Sequence, residues 1–138
     1  DRQAIQVHNV DYIFQGTAAG STLFSTFGTD ASEIQVQLTD LDRGDFVFAN
    51  DRALVSSARF LWAGTHADRE ADMYPDNFGK GSEDGRFVVN DALYLRGEVN
   101  DLASGAAANV TCRIECSIVT LSQKDFMAIA IASTAADN

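Results

Sequence analysis

Apolar and polar residues alternate with a period of two along most of this chain, and sustained helical periodicity is scarce. The clearest run is Ile34, Val36 and Leu38 interleaved with Glu33, Gln35 and Gln37. Such alternation turns one side of an extended strand toward a core and the other toward water. Ile5, Val7 and then Tyr12 to Phe14 mark a first extended segment; Leu23, Ser25 and Phe27 mark a second, after the Gly16-to-Gly20 turn region. Phe46 and Phe48 follow a turn at Asp40 to Asp45, and Ala53 to Ala63 continues in extended style. Phe87 to Val89 and then Leu93, Leu95 and Val99 alternate again, and the stretch Asn109 to Leu121 closes the set. This pattern predicts about eight strands joined by Gly-, Asp- and Asn-rich turns. The expected fold class is all-β: an antiparallel, jelly-roll-like β-sandwich with a short C-terminal helix, formed by residues 1–138 as a single domain.

Two stretches break the alternation. Thr65 to Gly85 is rich in carboxylates and carries the only proline, Pro75, so it predicts a long surface loop with one helical turn around Ala67 to Met73. Near the end, Ser122-Gln123-Lys124-Asp125 has the form of a capping box with Asp in place of Glu, and Phe126, Met127, Ile129, Ala130 and Ile131 follow. That predicts the helix, with an apolar side that covers a sheet edge or docks on a neighbouring subunit.

Composition narrows the function. Apolar residues make up 46% and charged residues 22%, a globular balance. Twenty acidic against ten basic side chains give a net charge of −10, which repels phosphate and excludes direct nucleic-acid binding as an expectation. No apolar run approaches the roughly 20 residues of a membrane helix, so no membrane span is expected. Read as a strand, Cys112 and Cys116 lie roughly 13 Å apart, beyond the reach of about 7 Å that a disulfide allows. They share a side with Val110, Ile114 and Ile118, which predicts buried free thiols.

Candidate chemistry is thin. The zinc-protease pattern, phosphate-binding loop, nucleophile elbow and dinucleotide-binding glycines are absent, so no catalytic residue, metal or cofactor is expected. Asp68, Glu70 and Asp72 are the best candidates for a hard cation, because carboxylates on a flexible loop supply Ca²⁺ ligands; a solvated acidic loop is the simpler reading. Trp62, Tyr74 and Phe78 are candidates for stacking on a sugar, with Trp62 read more simply as core. Arg43-Gly44-Asp45 spells an adhesion tripeptide, and the run Asp40 to Asp45 is more simply a tight turn between strands. Asn109-Val110-Thr111 matches a glycosylation acceptor, read as a chance occurrence.

The strand spacing, the segment Leu93-Tyr94-Leu95-Arg96-Gly97-Glu98-Val99, the long Cys-bearing last strand and the acid balance together give a resemblance. The chain resembles small single jelly-roll capsid or vertex proteins of icosahedral viruses, such as those infecting halophilic archaea. The Asp-rich, Lys-poor composition, with Lys80 and Lys124 the only lysines, fits high salt, where a Debye length of about 3 Å at 1 M removes the self-repulsion of carboxylates. The resemblance implies a structural, non-enzymatic homo-oligomer that packs against other virion proteins, with location in the virion. Its polar start and small-residue tail, Ala132 to Asn138, would serve as arms. The alternative is an extracellular ligand- or carbohydrate-binding sandwich.

Overall fold

A computed structural model describes residues 2–16, 31–63, 65–71, 81–82, 85–101 and 108–135. The second expected segment, Leu23 to Phe27, lies outside them. In chain order the elements are β1 (Arg2–Gln15), β2 (Ser32–Thr39), β3 (Leu54–Trp62), β4 (Ala67–Ala71), β5 (Gly81–Ser82), β6 (Gly85–Val88), β7 (Tyr94–Asp101), β8 (Asn109–Leu121) and α1 (Gln123–Ala135). The strands form two four-stranded antiparallel sheets, ordered β5-β6-β1-β8 and β4-β3-β2-β7. The chain is an all-β sandwich with a short C-terminal helix. Terminal pairs are nested, β1 with β8 and β2 with β7, while β2, β3 and β4 run as a meander.

The period-two code places the core. Ile34, Val36 and Leu38 of β2 are buried, and opposite them Val10 and Tyr12 of β1 point inward from the other sheet. Register shifts at two places make the chain depart from strict alternation. His8 is the extra residue between Val7, which pairs with Cys116, and Asn9, which pairs with Glu115. Such a bulge bends the strand and resets its phase. The pairing of Leu38 with Ser56 and Thr39 with Leu54 similarly leaves Val55 as an extra residue, itself buried.

Several elements differ from the sequence expectation. Ala67 to Ala71, expected as a helical turn in a loop, is strand β4, because its backbone completes a ladder on Ala58 to Trp62 of β3; a tertiary ladder overrides weak local preference. Phe46 and Phe48 lie in the connection between β2 and β3, not in a strand. There the Gln37 side chain donates to Val47 O at 2.8 Å and accepts from Val47 N at 2.9 Å, so an amide takes the bonds a ladder would have made. The chain ends are not arms among the described residues: the polar start is already β1, and Ala132 to Ala135 belong to α1. Ser122 caps that helix as expected, accepting the Asp125 N–H at 3.1 Å.

A buried ion pair links the sheets. Arg86 of β6 and Asp40, just after β2, are both almost fully buried, and the guanidinium donates to Asp40 Oδ2 at 2.6 Å, to Arg52 O at 2.6 Å and to Leu54 O. Asn90 Nδ2 donates to Asp40 O at 2.7 Å, and Asp40 N–H to Ala53 O at 2.9 Å, tying the same turn from two more directions. Next to Arg86, Gly85 holds a φ of +152°, and an added Cβ would collide with the Val7 carbonyl of β1. Gly85→Ala is therefore expected to lose about 2 kcal/mol, read as a lowered midpoint in urea unfolding, because both the backbone angle and the approach of β6 to β1 need hydrogen there.

Candidate functional site

Each sheet ends on the same side of the sandwich in a strand with one free side. Among the described residues, β8 pairs only with β1 and β7 only with β2. Leu95 and Val99 of β7 sit across from Leu38 and Ile34, on the inward face, yet are 52% and 38% exposed. A cavity of about 340 Å³ runs between the two edges, lined by Ile34, Val36, Leu95, Val99 and Val110. On β8, Val110, Cys112 and Ile114 reach the core, whereas Ile118, on the same side, is 73% exposed. Its cross-strand partner Ile5 is also uncovered, at 38%.

The thiols follow this division. Both are free; Cys112 is half-buried and Cys116 is exposed, so the expectation of two buried thiols is corrected for Cys116. Position parity aims Cys116 inward beside Val7, but β8 is the sheet edge and nothing described covers that end of it. Burial, and secondarily the negative charge of Asp11, push the Cys112 thiol above its ordinary range.

Outside the sheet, charges pair across strands. Asp11 accepts from Arg113 at 3.0 Å and lies 3.5 Å from Arg69, whose guanidinium also reaches Tyr12 O from β4. The Arg113 hydrogen bond lowers the Asp11 carboxyl below the usual range, partly opposed by desolvation. Its contribution to stability is present above the ordinary carboxylate pKa and fades as pH falls through the lowered value. Glu115, two residues from Arg113 on the same side, makes no salt bridge among the described residues.

The outer side of the second sheet carries a different feature. The connection bearing Phe46 to Ala49 roofs a groove of about 710 Å³ whose floor includes Gln35, Gln37, Ser57, Arg59 and Glu70. Phe48 stands at its rim, 85% exposed. Arg59 lies 3.7 Å from Glu33 and 3.5 Å from Glu70, so one guanidinium sits between two carboxylates at the floor. Gln37→Ala is expected to free the roof, costing about 1–2 kcal/mol for the two hydrogen bonds; faster hydrogen exchange of the Val47 amide would register it.

The candidates named from sequence are not brought together. Asp68 and Glu70 project from alternate positions of β4 to one exposed side, and Glu70 is engaged by Arg59; Asp72 lies outside the described residues. Among the described residues no three His, Cys, Asp or Glu side chains converge on a metal position. Trp62 is buried against Ile34, with Phe14, Phe60 and Val110 around it, while Tyr74 and Phe78 lie outside the described residues. Arg43 of the adhesion-like tripeptide is held by Asp51 at 3.0 Å, and Gly44, at φ +75°, donates to Asp42 at 3.0 Å; this is a structured turn. Asn109 uses its side chain to donate to Gly16 O at 2.8 Å. No described helix is long and apolar enough to cross a membrane.

Sequence reasoning missed the Phe48 groove and the edges themselves. An alternating pattern assigns faces within a strand, and it carries no sign of which strands end a sheet. The chain matches no known protein family, no curated protein and no solved structure.

Proposed function

We propose that this protein is a structural, non-catalytic subunit of a symmetric assembly, in its most specific form a capsid or vertex protein of an icosahedral virus of a high-salt host. One observation carries the reading: among the described residues no strand covers the β7–β8 side, and inward-facing Leu95, Val99 and Ile118 are exposed there. Natural sheets blunt long edges with charges, prolines or covers. β8 offers thirteen residues with Arg113 and Glu115 as its only charges. A monomer leaves that side wet; an assembly buries it. The nested β1–β8 and β2–β7 pairs support the jelly-roll resemblance, and the net charge of −10 with two lysines supports high salt. Light scattering at molar salt tests it: a mass several times that of one chain is expected, with dissociation and unfolding as salt falls to millimolar. A strict monomer at high concentration and molar salt overturns the assembly reading, and a fold indifferent to salt overturns the high-salt reading.

The groove under Phe46 to Ala49 favours a second reading, an extracellular carbohydrate-binding module, because an exposed aromatic above amide and charged groups suits the apolar and hydroxyl sides of a sugar. A glycan panel with Phe48→Ser as control decides it: binding lost in the variant supports the module, and no binding by either protein removes it.

A further inference from the structure

We infer that β8 is a self-complementary edge that pairs antiparallel with β8 of a second copy about a two-fold axis through Ile114. This deepens the assembly reading by naming the partner and the register, and it rests on that reading. The edge, free among the described residues, comes from the sheet order; the register comes from the sequence on that edge. Val110-Thr111-Cys112-Arg113-Ile114-Glu115-Cys116-Ser117-Ile118 reads as a chemical palindrome about its centre. Two antiparallel copies centred on Ile114 place Arg113 opposite Glu115, Thr111 opposite Ser117, Cys112 opposite Cys116 and Val110 opposite Ile118, each pair occurring twice by symmetry. A two-fold contact requires this reciprocity, residue i on j and j on i.

Each pair meets a need left open in one copy. Glu115 has no salt bridge among the described residues and gains Arg113 of the second copy, extending the Asp11–Arg113 pair into an alternating row across the joined sheets. Ile118, 73% exposed, gains Val110 of the second copy on the inward side. Cross-strand pairs of opposite charge and of apolar side chains are the units that stabilise a sheet. The axis is perpendicular to the sheet, so inward residues of one copy stay inward in the other, and the two β5-β6-β1-β8 sheets join into one continuous sheet.

The same register supplies its own test. Within one chain Cys112 and Cys116 lie roughly 13 Å apart along the strand and cannot bridge, whereas directly opposed residues of antiparallel strands have Cα atoms about 4.5–5.5 Å apart, within disulfide reach. The full chain is oxidised with copper–phenanthroline at molar salt, alongside Cys112→Ser and Cys116→Ser variants whose folding is checked by circular dichroism. A Cys112–Cys116 disulfide-linked dimer is expected from the wild type and from a mixture of the two variants, and from neither variant alone. Cross-linking of a single variant with itself, or none in a sample whose scattering mass is dimeric or larger, overturns the register and leaves the assembly reading standing. A monomeric mass without cross-link overturns both.

Discussion

Arg86→Met is expected to destabilise the protein by about 3–5 kcal/mol, measured by urea unfolding at fixed protein concentration. The guanidinium is fully buried and its donors serve Asp40, Arg52 O and Leu54 O together. Methionine replaces the aliphatic stem, so the loss reports the missing cation and not a cavity. It leaves the buried Asp40 carboxylate without its opposite charge and two carbonyls without these donors. The double variant Arg86→Met/Asp40→Leu is expected to recover much of the loss, since a buried pair removed as a whole is often close to neutral. A single-variant loss under about 1 kcal/mol would show that the pair is solvated and does not link the sheets.

Trp62→Ala is expected to cost about 3–5 kcal/mol as well, by a different route. Trp62 fills the end of the sandwich against Ile34, with Phe14 and Val110 from the opposite sheet beside it, and truncation leaves a cavity that those side chains close only in part. It is the only tryptophan, so its fluorescence should be blue-shifted in the folded protein and move to the red on unfolding. A variant of near wild-type stability would instead mean that Trp62 is a surface aromatic, which returns it to the sugar-stacking candidates.

The sequence was legible where a strand lies between two others and is covered on one side. In β2, Ile34, Val36 and Leu38 alternate with Glu33, Gln35 and Gln37 as written in the chain, and the structure buries the first set. The helix start was legible because Ser122 and Asp125 act within four residues of each other. Cys116 shows where this reading stops: parity told which way it points, while its exposure depends on whether another sheet lies over it. β4 was misread because Asp68, Arg69 and Glu70 have no strand preference, and only the ladder on β3 makes them a strand. The Arg86–Asp40 pair joins residues far apart in sequence. Its one local signal is that Arg86 shares parity with the buried Val88, which makes a charged residue inward-facing and demands a partner. The groove under Phe48 was hidden for a related reason, since it depends on Gln37 holding the Val47 backbone across the β2–β3 connection.

The Arg86–Asp40 pair and the Trp62 cluster lock the sandwich internally, and the proposed assembly uses the β8 edge, on which no described strand pairs. Hydrogen exchange along β8 tests this most directly. β1 takes the bonds on one edge of that strand, so alternate amides between Val110 and Ile118 point from the other edge, where no described strand pairs with them. At molar salt, protection of those outward amides is expected to rise with protein concentration, in step with the scattering mass. Fast exchange at these amides at every concentration, while the β1-facing amides stay protected, would contradict assembly through this edge.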